Sequence, residues 1–118
     1  MHFVAMMVPL VILLDDRIVG RITVNDVIRG AFHSAHLGYW VSQRHNGRGI
    51  ATAAVAATAE LAFGEYGLHR LQAATLRHNH GSQRVLSRNG FTQIGMAPRY
   101  LRIAGEWQDH LLFQRLAE

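Results

Sequence analysis

Gln43-Arg44-His45-Asn46-Gly47-Arg48-Gly49-Ile50-Ala51-Thr52 sits where the pattern of the chain changes. Before it, Ala35–Ser42 (AHLGYWVS) alternates Leu37, Tyr39 and Val41 against His36, Gly38 and Trp40, the period of a strand. After it, Ile50, Ala54, Ala57 and Leu61 recur at helical spacing through an alanine-rich run. That spacing predicts one long helix from Arg48 to about Tyr66, with Gly64 and Gly67 around its end. A strand therefore passes straight into the first turn of a helix. The leading amides of a helix have no internal partner and carry the positive end of its dipole. Gly47 and Gly49 let the backbone approach a ligand with no Cβ in the way, and Arg44 and Arg48 add charge. Together these features describe a cradle for a pyrophosphate. The same Gly-x-Gly is also what a tight turn into a helix needs, and the residues alone leave that alternative open.

Two common diphosphate sites do not fit. The dinucleotide fingerprint wants a third small residue where Thr52 stands and an acidic residue closing the next strand, where Leu76-Arg77 stands. A nucleoside-triphosphate loop needs a lysine, and the chain has none: all twelve Lys+Arg are arginine. The missing lysine also excludes a Schiff-base or lysine general base. Cysteine is absent too, which excludes a disulfide scaffold, a thiolate metal site and a cysteine nucleophile.

Outward from the centre, Val11–Leu14 is a short apolar run ending at a turn, Asp15-Asp16, and Ile18–Val24 completes a hairpin. Met1–Leu14 is apolar, but it lacks a charged leader and a cleavage site, and Pro9 interrupts it. It is read as a buried strand, not a signal peptide or membrane span. Asn25–Ser34 reads as polar and irregular. Leu68–Leu76 returns to strand, and Asn79 or Ser82 can cap a second helix through Val85-Leu86 that stops at Asn89-Gly90. Phe91–Gly95, Tyr100–Ile103 and Trp107–Leu116 are strand-like, with Ala104-Gly105 as a turn between the last two. The order is three strands, helix, strand, helix and a closing pair of strands. This is an α/β fold with a mixed sheet in a single domain over 1–118.

Apolar residues make up 49% of the 118 and charged residues 17%, which suits a folded core and not a disordered chain. The net charge of +4 comes from scattered arginines with no dense basic block, so a polyanionic small ligand suits it and nucleic acid is not demanded. His33-x-x-His36 and His78-x-His80 are chelating spacings in principle, but no cysteine or acidic cluster accompanies them, and no metal is expected. Trp40, Trp107 and Phe91 are expected in the core.

Arg44-x-x-Gly47-x-Gly49, after a strand ending Gly38-Tyr39-Trp40-Val41, resembles the coenzyme A motif of GNAT acetyltransferases. Further pieces follow in the family's order: Leu68-His69-Arg70-Leu71 opening a strand, then His78-Asn79, Ser82, Val85-Leu86 and Asn89-Gly90-Phe91, then Trp107-Gln108-Asp109-His110. Val27–His33 with Leu37-Gly38-Tyr39 is most similar to the RimJ/RimL type, enzymes that acetylate N-terminal α-amines of ribosomal proteins. The resemblance implies a GNAT-like, mostly antiparallel twisted sheet with two flanking helices, acetyl-CoA as cofactor and an amine as acceptor. It implies that the backbone amides from Arg44 through Gly49, those of Asn46, Gly47 and Arg48 among them, hold the pyrophosphate, and that Ile50, Ala51 and Thr52 also belong to the cofactor site. It implies that Tyr39, Trp40 and Val41 accompany the pantetheine arm, that Asn79 contacts the arm or a water, and that Ser82 can protonate the departing thiolate.

The chemistry asks for little more. An α-ammonium of pKa about 8 must lose a proton, and a thiol of pKa about 8.5 must gain one, so a modest base and a weak acid suffice. A strand amide can stabilise the oxyanion, and proximity supplies much of the rest. The glutamate that serves as base in RimL-like enzymes falls near Leu101, which cannot act. Asp109 is the leading substitute, with His33, His36 and His78 behind it.

The resemblance begins at the family's second strand, so the first strand and the two helices after it have no counterpart. An uncovered apolar sheet face and an exposed edge predict a homodimer or larger assembly. The leading expectation is an acetyl-CoA-dependent N-acetyltransferase acting on a protein N-terminus in the cytoplasm. The alternatives are a catalytically weak coenzyme A-binding or dimerisation fragment, an acetyltransferase of small-molecule amines, and a basic ribosome-associated binding protein.

Overall fold

The computed structural model describes residues 6–28, 34–42 and 49–117. Its first hairpin joins β1 (Met6–Leu14) to β2 (Arg17–Ile28) through Asp15 and Asp16, both at positive φ (50° and 64°). Two left-handed residues in a two-residue loop give the twist that matches paired strands. β1 reaches back to Met6 and lies at the edge of the sheet, pairing only with β2 among the described residues. Its Ile12 is buried while Val11 and Leu13 are more than half exposed, so the expectation of a buried strand holds for one face only.

The segment read as irregular from Asn25 is strand as far as Ile28, where Asn25 pairs with His36 and Ile28 with Ser34. Asn25 fits because it shares with Thr23 the sheet face opposite the buried Ile22 and Val24. There the Asn25 amide donates to Thr23 Oγ1 (3.3 Å), and Thr23 Oγ1 donates to the Gly38 carbonyl (3.4 Å). Residues 29–33 lie outside the described chain. β3 (Ser34–Val41) is followed by α1 (Ile50–Phe63), β4 (Arg70–Leu76), α2 (His80–Arg88), β5 (Thr92–Ile103) and β6 (Glu106–Leu116).

Among the described residues these six strands form one sheet in the order β1-β2-β3-β4-β6-β5, antiparallel throughout except for β3 beside β4. The parallel pair exists because α1 carries the chain back to the starting end of β3. The core lies between α1, α2 and one sheet face. Ile22 and Val24 of β2 stand beside Leu37 of β3, Leu71 and Ala73 of β4 beside Phe113 of β6, and Val55, Ala59, Ala62 and Leu86 come from the helices.

α1 is shorter than the Arg48–Tyr66 expectation, ending at Phe63 with Gly64 as its cap. Its buried residues are Val55, Thr58, Ala59 and Ala62, whereas Ala57, expected to face inward, is exposed. The two strand-like pieces after Phe91 are one continuous β5. An irregularity between Ala97 and Leu101 spans Pro98, which has no N–H to give, and Arg99, which has φ 50°. Phe91 is buried as expected, but Trp40 and Trp107 are 56% and 62% exposed and belong to no core. No helix among the described residues is long and apolar enough to cross a membrane.

Candidate active site

Ser34, Ala35 and His36 of β3 pair with Arg70, Leu71 and Gln72 of β4, and there the pairing stops. Beyond His36 the two strands diverge. β3 continues to Val41 against β2, and β4 continues to Leu76 against β6. From Leu37 to Val41, β3 thus turns toward the opening an edge with no strand partner among the described residues. A cavity of about 460 Å³ occupies this side of the splay, walled by Tyr39, Trp40 and Val41 on one flank.

The second wall is the start of α1, contributed by Gly49, Ala51 and Thr52. Gly49 is the N-cap, with φ 76° and no side-chain cap bond, and its carbonyl accepts the first helical bond from the Ala53 amide (3.0 Å). Among the described residues, nothing lies within 4 Å of a Cβ built on Gly49. The amides ahead of Ala53 are those that a helix leaves without an internal acceptor.

The third wall is α2 with its cap, contributed by Asn79, Gly81, Ser82, Arg84, Val85 and Arg88. Asn79 caps the helix by accepting the Ser82 amide on Oδ1 (3.1 Å). The Ser82 hydroxyl lies 2.7 Å from the Tyr39 hydroxyl, which also reaches the Ser82 carbonyl at 3.3 Å. This pair ties α2 to β3 across the splay. Burial raises the Tyr39 phenol above its ordinary pKa, and the hydrogen bond with Ser82 opposes the rise in part. The phenol therefore keeps its proton at neutral pH. At the far end of α2, Asn89 Nδ2 donates to the Thr52 carbonyl (3.1 Å) and to the Val85 carbonyl (2.9 Å), fastening the helix to the first turn of α1.

Eight residues singled out in the sequence thus come together around one cavity: Tyr39, Trp40, Val41, Gly49, Ala51, Thr52, Asn79 and Ser82. Ile50 turns the other way and packs, partly buried, against the core. Arg44, Asn46, Gly47 and Arg48 lie outside the described residues, as does His33. His36 and His78 do not line the cavity, and neither does Asp109. Asp109, expected as the base, sits on β6 and bonds to β5. Its Oδ1 accepts the Arg99 amide at 2.9 Å, and its Oδ2 lies 3.8 Å from the Arg77 guanidinium, so the carboxylate props the irregular turn in β5. Gly81, Arg84, Val85 and Arg88 were not anticipated. Their spacing of three, four and seven residues is one helical face, a signal present in the sequence once Ser82 is placed on α2.

The donors around the cavity are helix-terminal and strand-edge N–H groups and two guanidinium groups, which suit a ligand that carries phosphates and amide groups. Among the described residues, no group of three or more His, Asp or Glu is placed to hold a metal ion. A family described as Acetyltransferase (GNAT) domain matches residues 4–92. The chain belongs to the GNAT acetyltransferases. It is similar to the Bacillus subtilis protein named "Probable N-acetyltransferase YjcK", with 43% identity over 96 residues, 81% of this chain and 53% of that protein. It is 36% identical over 98 residues to the Escherichia coli [ribosomal protein uS5]-alanine N-acetyltransferase, covering 83% of this chain and 50% of that one. The solved structure of Mycobacterium smegmatis RimJ in complex with CoA-disulfide superposes with a TM-score of 0.92 at 43% identity, over 94% of this chain and 53% of that one. The GNAT chain described here spans about half the length of the curated relatives it matches. Its mixed, mostly antiparallel sheet with two helices is the GNAT fold expected from the sequence.

Proposed function

We propose that this chain is one partial acetyltransferase domain that binds acetyl-CoA and moves its acetyl group to an amine, with a protein N-terminus as acceptor. The observation that carries the reading is the splay of β3 from β4, which opens a strand edge beside the start of α1 at Gly49. The relatives support it: one is named for alanine acetylation of a ribosomal protein, and one was solved with a coenzyme A derivative.

In this reading, acetyl-CoA supplies the activated acyl group as a thioester. The first amides of α1, with the loop before them, hold phosphate oxygens against the positive end of the helix. The open edge of β3 at Tyr39–Val41 would hold the amide-bearing arm, and its N–H groups would supply a donor for charge that builds on a thioester carbonyl. Ser82 holds a proton on Oγ for the sulfur. Tyr39, still protonated and 2.7 Å away, would stabilise Ser82 Oγ as that proton leaves. The amine would arrive neutral, and the proton it sheds after attack would pass to solvent.

A thermal melt of the 118-residue chain with and without acetyl-CoA tests the first half of this reading. Ligand at a hundred times Kd adds about 2.7 kcal/mol, which for this size raises Tm on the order of 10 °C. Acetyl transfer to peptides beginning with alanine or serine tests the second half, and a cytoplasmic setting goes with such an acceptor. A cooperative melt that acetyl-CoA does not shift would sink the assignment.

A second reading rests on a separate observation. Val11, Leu13, Ile18 and Trp40 are each more than half exposed on β1–β3, and the chain spans about half its relatives. A coenzyme A-binding fragment that pairs with a second copy through this surface would show cofactor binding, no transfer, and a dimer in sedimentation equilibrium.

A further inference from the structure

α2 and the turn before it carry Arg77, Arg84 and Arg88, together with His78 and His80, and no acidic residue from Arg77 to Arg88. Arg84 and Arg88 stand one turn apart on the face that walls the cavity, and both are exposed. Neither forms an ion pair among the described residues, whereas Arg77 is turned away toward Asp109. Asn89, the residue after Arg88, is bonded to the Thr52 carbonyl in the first turn of α1. The Arg88 end of α2 is therefore beside the helix terminus that favours anions, and the Ser82 end is beside Tyr39. Six residues along a helix separate Ser82 from Arg88, roughly 9 Å. The cavity has a hydroxyl end, where sulfur chemistry belongs, and a guanidinium end.

One pyrophosphate is enough for the start of α1. Two further guanidinium groups on the opposite wall call for a second, separate anion. Coenzyme A carries one, the phosphomonoester on the 3′ position of its ribose, with close to two negative charges at neutral pH. We propose that Arg84 and Arg88 form a subsite for this 3′-phosphate and make the chain selective for coenzyme A over its 3′-dephospho form. The planar fork of arginine suits a terminal phosphate better than an internal diester, since two or three free oxygens face it at once. This rests on the acetyl-CoA reading above, and the experiment separates the failure of one from the failure of the other.

Isothermal titration of the 118-residue chain with coenzyme A and with 3′-dephospho-coenzyme A reads the subsite directly, without turnover. The expected result is coenzyme A binding about tenfold or more tighter, with a steeper loss of affinity as salt rises. Arg84→Ala and Arg88→Ala should each weaken coenzyme A roughly 5- to 10-fold and leave the dephospho form within twofold. Both positions are exposed, so their melting curves should match the parent. Arg102→Ala, which removes an exposed charge from the β5–β6 hairpin, should change neither affinity. Equal affinity of the parent for the two ligands overturns the subsite and leaves the acetyl-CoA reading standing. So does an equal loss for both ligands in the arginine variants, or a loss in Arg102→Ala as large as theirs. A folded parent that binds neither ligand overturns both.

Discussion

The Ser82 hydroxyl is fixed by its helix position and by Tyr39, 2.7 Å away, so its proton has few directions to point. Removing it by Ser82→Ala should lower kcat about 10- to 100-fold, the low end for an acid because a thiol leaves easily. KM for acetyl-CoA should stay within about twofold. Steady-state kinetics decide this, and full activity would remove Ser82 from the mechanism. Asp109 was legible in the sequence as a carboxylate in a family signature, but its partner was not. Pro98 marks an interruption of β5, but the bond to the Arg99 amide depends on how the strand resumes its pairing with β6, ten residues away in the chain. Asp109→Ala should therefore cost about 1 kcal/mol of stability through the lost acceptor, measured by denaturant melts, and leave the acidic limb of the pH–rate profile in place. Loss of that limb would return Asp109 to the chemistry. The cavity walls drawn from β3 and α1 were readable because the strand-to-helix passage fixes them locally. The arginines of α2 were not, because their relevance depends on Asn89 docking that helix against Thr52, a contact 37 residues apart.

Elements were legible where a local device sets them. Asp15-Asp16 and Ala104-Gly105 read as turns and are turns, and of the two caps offered for α2, Asn79 or Ser82, the helix uses Asn79. The facing of α1 was not legible, since alanine fills so much of it that inner and outer faces differ little in apolarity. The choice of Val55, Ala59 and Ala62 is made by the sheet below. β5 was split in two by Pro98 and Arg99, residues that oppose strand structure yet are carried by pairing with β6 on either side. The β1–β2 loop holds two aspartates in the left-handed region, which Asn-Gly adopts more readily. The double change Asp15→Asn, Asp16→Gly should stabilise by about 0.5–1 kcal/mol and raise Tm by roughly 2–6 °C in calorimetry. Gly20 makes the opposite case. A Cβ there would run into the Trp40 carbonyl of β3, so Gly20→Ala should push β2 from β3 and cost about 1–3 kcal/mol.

For the whole molecule, the raised phenol of Tyr39 sets an alkaline limit. Below pH 10 the folded and unfolded chains both keep that proton, and its contribution to stability is complete. Above pH 10 the unfolded chain ionises first, so stability falls until the folded phenol ionises as well. Tyr39→Phe should flatten this fall in melts taken from pH 9 to 11, relative to the parent. The parting of β3 from β4 has a consequence of another kind. A cut in the Gly64–Gly67 turn leaves two pieces of like design. One holds β1, β2, β3 and α1, and the other holds β4, α2, β5 and β6, each a run of three mutually paired strands with its own helix. What joins them is the short parallel seam at Ser34–His36, the packing of α1 on α2 and β4, and the Tyr39–Ser82 and Asn89–Thr52 bonds. Such halves, expressed apart, should find each other weakly, and a molecule lodged in the cleft touches both, so it would act as the clasp that brings a split chain back together.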